Sequence, residues 1–327
     1  MASTTKIMTS ILALEEAEVN QNKKNMEITY DMINVEGSSM GLEVGDIVSL
    51  EDLVYGMLLP SGNDAANAAA MLVSGSKENF IKLMNSRAKQ IGMKNTHFTT
   101  PSGLDYGDHH STARDMAILG AYCMENEKFA SITSKLTKVI RLENNKKLFL
   151  KNHNKLLDLY KYCIGIKTGF TKKAGRCLVS CALKDNIKLV AVTLNASDDW
   201  NDHIELYNYG FKNTISKTFD DREFETTLKV INGESSEANI ISATWFSRTF
   251  KSDILDSDIQ REIVIPEHIE APVHQGQIVG KIVYKHDGII IGENILTCKS
   301  EIPTKKIYNI FIKIINFFKK LFKINKN

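Results

Sequence analysis

A chain of 327 residues with 43% hydrophobic and 24% charged residues is long enough for a full core and two domains, and too apolar to be extensively disordered. Its formal net charge of +2 provides no global basic field, so nucleic acid is excluded as an expected partner. The five cysteines (Cys123, Cys163, Cys177, Cys181 and Cys298) are odd in number and scattered, with no Cys-x-x-Cys pair; buried thiols are expected, not disulfides or metal ligands. No secretory signal precedes Ser3, and no run of about 20 apolar residues predicts a membrane span.

The opening MASTTKIMTSILALEE predicts a helix from Ser3 to Glu16, with Ile7, Met8, Ile11, Leu12 and Leu14 at helical spacing. From Leu50 to about Met124 the texture is mainly helical. LEDLVYGMLL ends at Pro60, DAANAAAMLVSG ends on a glycine, and SKENFIKLMNSRAKQIG runs from an N-cap at Ser76 to Gly92. Ser111 is expected to cap the next helix, STARDMAILGAYCM. Near Tyr162 the pattern shifts to short β-rich runs, CIGIKTGFT, GRCLVSCAL and KLVAVTLN, the last two flanking a KDN turn as a hairpin would. HIELYNYGF returns to helix, with Asp198 or Asp199 as its expected cap; Trp200 and His203 have no role legible in the sequence. This order predicts an α/β domain over residues 1–219, its sheet carrying helices on its faces. Strand-like runs separated by Gly, Asn, Asp and Pro predict a small all-β domain at 220–302. In the final segment, 303–327, Asn309, Lys313, Asn316, Lys320 and Lys323 form one polar stripe on an otherwise apolar helix. The last 24 residues hold seven lysines and no acid, so a helix lying on an anionic membrane surface over 305–324 is expected.

Three short motifs carry the chemistry. Ser3 and Lys6 stand three apart and so share a helix face; Ser-x-x-Lys also occurs at Ser74 and Ser86, where a solvated helix explains it. Ser61-Gly62-Asn63 lies in a turn between helical segments and is the only Ser-x-Asn. Lys167-Thr168-Gly169 lies on a strand and is the only Lys-Thr-Gly. Together, in this order and setting, they form the set found in penicillin-binding proteins and class A β-lactamases. A serine hydroxyl needs a base to act as nucleophile at neutral pH. Lys6 can be that base only when neutral, which requires burial and a nearby second cation, for which Lys167 is the candidate. Ser61 can relay a proton to a leaving amine, and Asn63 can hold Lys6 and a substrate amide. Lys167 and Thr168 suit a substrate carboxylate, and Gly169 permits a substrate strand to approach the sheet edge closely. Backbone N–H groups of Ser3 and Phe170 would form the oxyanion hole. Nothing here calls for a cofactor or a metal.

On STTKIMT, LLPSGNDAA at 58–66 and IKTGFT at 166–171, the chain resembles the serine-type D-alanyl-D-alanine carboxypeptidases, the low-molecular-mass penicillin-binding proteins of peptidase family S11. GLDYGDHHSTARD at 103–115 and APVHQGQIVGKIVY in the β-rich part are similar to further segments of that family. The resemblance implies an antiparallel sheet with helices plus a helical subdomain, a β domain behind it, and an amphipathic membrane anchor. It further implies removal of the terminal D-alanine from peptidoglycan stem peptides through an acyl-serine, with penicillin trapping Ser3 outside the cytoplasmic membrane. Members normally carry a signal peptide and the first strands of the catalytic sheet ahead of the Ser-x-x-Lys motif. This sequence opens at that motif, so export is expected to depend on an upstream signal, and the shortened domain could be an impaired, peptidoglycan-binding form.

The sequence argues against two rival chemistries. A class A β-lactamase normally has aspartate in the middle of the second motif and a separate deacylating glutamate, whereas Gly62 stands here and no Glu-x-x-Leu-Asn follows. A zinc enzyme could draw on Asp105, Asp108, His109 and His110, but adjacent histidines rarely converge on one ion, and no His-x-x-x-His pair exists.

Overall fold

The computed structural model describes residues 1–20 and 25–306. It divides into two compact units, Met1–Lys212 and Asn213 onward. The expected boundary at 219/220 falls at the end of a strand that opens the second unit.

In the first unit, a 3₁₀ turn, Ala2–Thr5, leads into α1 (Lys6–Val19). The nucleophile candidate therefore sits on a tighter turn preceding the α-helix that the sequence predicts from Ser3. Helix α1 is buried on all sides along its first nine residues, as a central helix must be. Strand β1 (Asn25–Glu27), α2 (Tyr30–Ile33) and β2 (Ile47–Ser49) form a small flap, with β1 and β2 antiparallel. Helices α3 (Leu50–Leu58), α4 (Asn63–Ser74) and α5 (Lys77–Gln90) follow. Ser76 caps α5 as predicted, its side chain accepting from the Asn79 N–H at 3.1 Å. Helix α6 (Ala113–Cys123) is capped by Thr112 instead of Ser111; the Thr112 hydroxyl accepts from the Asp115 N–H. Ser111 bonds Thr96 instead. Helix α7 (Glu127–Thr133), the hairpin β3 (Thr137–Arg141) with β4 (Lys147–Lys151), and the single turn α8 (Leu156–Leu159) complete the helical part.

The three predicted strands form one antiparallel sheet in the order β5 (Cys163–Thr171), β6 (Gly175–Lys184), β7 (Ile187–Leu194). Asp185 and Asn186 join β6 to β7 with φ of 51° and 62°, a two-residue hairpin of the kind that favours Asp and Asn. Side chains alternate between the two faces. Val179 and Cys181 face the main helical core around α1, while Leu178 and Ala182 face Tyr207 on α9 (Asp199–Lys212). Beneath that second face lies a buried polar cluster: His203 bonds the Ser180 hydroxyl at 2.6 Å and the Thr193 hydroxyl at 3.0 Å, and Ser180 also bonds the Tyr207 hydroxyl. His203, whose role is not legible in the sequence, is thus a packing element under the sheet. Among the described residues the five cysteines are free thiols, and all but Cys163 are buried.

The second unit pairs β8 (Thr214–Asp220) with β11 (Trp245–Lys251). The strands β9 (Glu225–Ile231), β10 (Glu237–Ser242), β12 (Ile259–Val264), β13 (His268–Glu270), β14 (Ile278–His286) and β15 (Ile289–Cys298) make a six-stranded sheet in the order β12-β14-β15-β10-β9-β13. Its core is built on Leu228, Val230, Ile240, Ile282 and Leu296. Buried Asp221 accepts from Arg261, Tyr284 and Asn294. Residues up to Lys305 remain tied to this unit, the Lys305 N–H donating to the Asn232 carbonyl at 2.9 Å. The amphipathic helix expected at 303–327 lies outside the described residues from 307 onward. No helix among the described residues is long and apolar enough to cross a membrane.

Burial lowers the His203 pKa to about 4 from an ordinary 6.5, so the folded protein holds it neutral while the unfolded chain protonates it. Its contribution to stability is complete above about pH 6.5 and is lost as pH falls toward 4, on the order of 1 kcal/mol per pH unit. Urea unfolding followed from pH 7 to pH 4 should therefore show falling stability. His203→Gln should flatten that slope while lowering stability at neutral pH.

Candidate active site

The three motifs converge on one open cleft of about 560 Å³, lined by Ser3, Ser61, Thr168, Gly169 and Phe170 among others. Its centre is the Lys6 amine, which has no solvent exposure. Lys6 Nζ lies 2.8 Å from Ser3 Oγ, 2.7 Å from Asn63 Oδ1 and 2.7 Å from the Ser102 carbonyl oxygen. Three acceptors match the three N–H bonds of an ammonium. When the amine is neutral, two N–H groups keep Asn63 and Ser102, and the lone pair is left for the Ser3 hydroxyl. Burial pushes the Lys6 pKa well below its ordinary value, the Lys167 charge pushes it further down, and Asp64 opposes both.

Each partner is delivered by a separate piece of backbone. The turn before α4 carries Ser61 with φ +68°, a left-handed conformation costing on the order of 1 kcal/mol for a non-glycine residue. That turn is anchored by buried Asp64, whose carboxylate accepts from the Met40 N–H and the Ser39 hydroxyl. Gly62 sits against this anchor: a β-carbon there would lie 2.5 Å from Asp64 Oδ1 and 2.9 Å from the Met40 nitrogen. The aspartate found at this place in class A β-lactamases does not fit. Asn63 also donates to the Glu36 carbonyl at 2.7 Å, which fixes its amide with the oxygen toward Lys6.

The third motif runs along β5, an edge strand of its sheet. Lys167 is buried, donates to the Thr168 carbonyl at 3.0 Å, and has its pKa lowered by burial to about 7. Gly169 has a role the sequence does not display. A β-carbon there would come within 3.0 Å of the Ser3 and Thr4 nitrogens and 3.1 Å of the Met1 carbonyl. The absence of a side chain there thus admits the turn bearing Ser3 against the strand, a contact distinct from the expected approach of a substrate strand. Phe170 is exposed at the cleft rim.

Several site groups escaped the sequence reading. The Ser102 acceptor is a backbone carbonyl, for which no side-chain motif exists. Arg176, paired with Asp199 at 2.5 Å and lying 5.5 Å from the Trp200 ring, builds one wall of the cleft together with those two residues. The run SDDWNDH contained that signal, but only the β5–β6 register, with Arg176 opposite Phe170, brings Arg176 to it. The Asp105–His110 run weighed as a zinc site bonds within the protein: His109 to Thr5 and Thr99, and His110 to Asp108. Among the described residues no group of three or more His, Cys, Asp or Glu is arranged to hold a metal ion.

Comparison with known proteins agrees with this geometry. The D-alanyl-D-alanine carboxypeptidase family, Peptidase S11, matches residues 1–198, and the penicillin-binding protein 5 C-terminal domain matches residues 214–304. The chain is 31% identical to the D-alanyl-D-alanine carboxypeptidase DacF of Bacillus subtilis over 92% of its length and 79% of that protein's. It is 34% identical to DacC of Escherichia coli, over 90% and 78%. Among solved structures it is similar to penicillin-binding protein 5 of Haemophilus influenzae, with a TM-score of 0.64 and 30% identity over 92% of this chain and 90% of that one. With a buried Ser-x-x-Lys pair, a Ser-Gly-Asn turn and a Lys-Thr-Gly edge strand around one cleft, and with family matches to both units, the chain belongs to the serine-type D-alanyl-D-alanine carboxypeptidases of family S11.

Proposed function

We propose that Ser3 is the nucleophile with which this chain removes the terminal D-alanine of peptidoglycan stem peptides. The observation that carries the reading is the 2.8 Å contact between Ser3 Oγ and a fully buried Lys6 amine whose proton affinity is depressed. In the first step the Ser3 hydroxyl passes its proton to neutral Lys6 as Oγ bonds the carbonyl carbon of the penultimate D-alanine. Negative charge on the carbonyl oxygen is met by the Ser3 and Phe170 N–H groups, at the junction that Gly169 permits. The Lys6 proton is handed through Ser61 to the departing amine, the C–N bond breaks, and D-alanine leaves. Water then attacks the acyl-serine ester, giving its proton back through Lys6, and Ser3 is restored.

Lys167 and Thr168 support recognition of the terminal carboxylate, and Asn63 supports both Lys6 and the substrate amide. A β-lactam would acylate Ser3 by the same first step, with its leaving amine still tethered in the cleft. The assembled geometry of Ser3, Lys6 and Asn63 favours an active enzyme over an impaired binding protein, and the tight packing at Gly62 disfavours a class A β-lactamase. Attachment to the outer face of the cytoplasmic membrane through 305–324 rests on the lysine-edged apolar pattern of that segment and on the cell-wall chemistry of the family.

Intact mass after incubation with benzylpenicillin should show one penicilloyl adduct, absent from Ser3→Ala. A folded wild-type sample without the adduct would sink the reading. In Lys167→Gln the charge that lowers the Lys6 pKa is gone, so the acid limb of the acylation-rate profile should move to higher pH; a limb that stays put would remove Lys167 from the activation of Lys6. Gly169→Ala should slow acylation by at least about tenfold through displacement of the Ser3 turn. The thermal midpoint should fall much less than for a core truncation.

A further inference from the structure

Behind the nucleophile, the loop from Thr99 to Thr112 packs against the 3₁₀ turn and the start of α1. The Ser102 carbonyl accepts from Lys6, and the Pro101 carbonyl accepts from the Thr9 hydroxyl at 2.6 Å. Gly103, at φ +86°, lies so close that a β-carbon would meet the Ala2 carbonyl oxygen at 1.9 Å and Thr5 Oγ1 at 2.8 Å. These contacts use backbone on the loop side. One side chain of the loop also reaches into the turn: His109 Nε2 lies 2.8 Å from Thr5 Oγ1. The direction of that bond is decided by the other ring nitrogen. His109 Nδ1 accepts from the Thr99 N–H at 3.0 Å, so it carries no proton, and Nε2–H is the donor to Thr5.

Thr5 is fully buried and is the last residue of the turn, between Ser3 and Lys6. Its hydroxyl meets the loop, at His109 and Gly103, while the Ser3 end of the turn is pressed against Gly169 on β5. A lateral shift of the turn changes the Ser3–Lys6 separation and the Ser3–Gly169 junction together. We propose that His109 is a positioning residue for the acylation step, holding the Ser3 turn against β5 through its Nε2–H bond to Thr5 Oγ1. The ring is not among the residues lining the cleft and bonds Thr5 and Thr99, so its effect passes through Thr5. Burial keeps the ring neutral at ordinary pH, with its pKa lowered to about 4, and a neutral ring is the state that can donate from Nε2 while accepting at Nδ1. This inference rests on Ser3 being the nucleophile.

Two substitutions separate the two ring nitrogens. His109→Gln places an amide N–H at the reach of Nε2 and restores the donor to Thr5 while losing the acceptor for Thr99. His109→Asn places an amide oxygen at the reach of Nδ1 and restores the loop bond to Thr99 while losing Thr5. The rate of benzylpenicillin acylation at saturation, and the apparent Kd of the preceding complex, would be measured for the full chain and both variants, with thermal midpoints alongside. Wild-type acylation absent from Ser3→Ala establishes the nucleophile first. The expected result is a rate within about threefold of wild type for His109→Gln, and a rate lowered roughly tenfold to a hundredfold for His109→Asn, with Kd little changed. In a Thr5→Val background, His109→Asn should cost no further rate, because the bond is already gone. The proposal is overturned if Asn preserves the rate and Gln loses it, if the two variants are equal, or if the Thr5 and His109 effects simply add. An unacylated but folded wild type would overturn the Ser3 reading itself, and this inference with it.

Discussion

One nitrogen organises the catalytic unit. Lys6 Nζ, without solvent exposure, binds Ser3 on its own turn, Asn63 at the start of α4 and the Ser102 carbonyl in the loop before α6. Taking an ammonium out of water costs several kcal/mol unless acceptors replace its hydration, so these partners cannot be surrendered independently. The same burial that makes Lys6 expensive to hold charged lowers its proton affinity, as the proposed role of base requires. Lys167 and Asp64 act on it with opposite sign, so the state of Lys6 at neutral pH reflects a balance between neighbours as well as depth.

Close approach of backbone is the second constraint, and it is met by glycine at three points. Gly169 lets the Ser3 turn lie on β5, Gly62 lets the Ser61 turn settle on the Asp64 anchor, and Gly103 lets the loop of Ser102 press on Ala2 and Thr5. A methyl group at any of them would come within about 3 Å of atoms that carry the site. Reacting groups held this tightly need little rearrangement on binding, which is the physical content of pre-organisation. The wall formed by Arg176, Asp199 and Trp200 adds charge and an aromatic face to the rim without entering this central arrangement.

Much of the architecture was legible because its signals are local. Helical spacing and the Ser76 cap located α5, and β-rich runs flanking an Asp-Asn turn located the β6–β7 hairpin. Short strands were harder. The pairs β1–β2 and β8–β11 join strands separated by other elements along the chain, which a local pattern cannot show, and the β3–β4 hairpin lies outside the runs that the sequence marks as strands. The cap of α6 moved from Ser111 to Thr112 because Ser111 found a tertiary partner in Thr96, an alternative that propensity cannot see.

For the site, residue type and spacing alone determined the chemistry: a serine with a lysine three residues on, a Ser-Gly-Asn turn, and a Lys-Thr-Gly strand, in that order. Each group's capacity to donate, accept or titrate belongs to its side chain and is therefore written in the sequence. What only the tertiary structure decided is which of those capacities is expressed. Burial depth and neighbouring charge set the proton affinities of Lys6 and Lys167, backbone contact gave Gly169 its place against the Ser3 turn, and one loop brought the Ser102 carbonyl to Lys6 and the His109 ring to Thr5. Solvation and close packing are properties of neighbours across the fold, and neighbours distant in sequence exist only once the chain has folded.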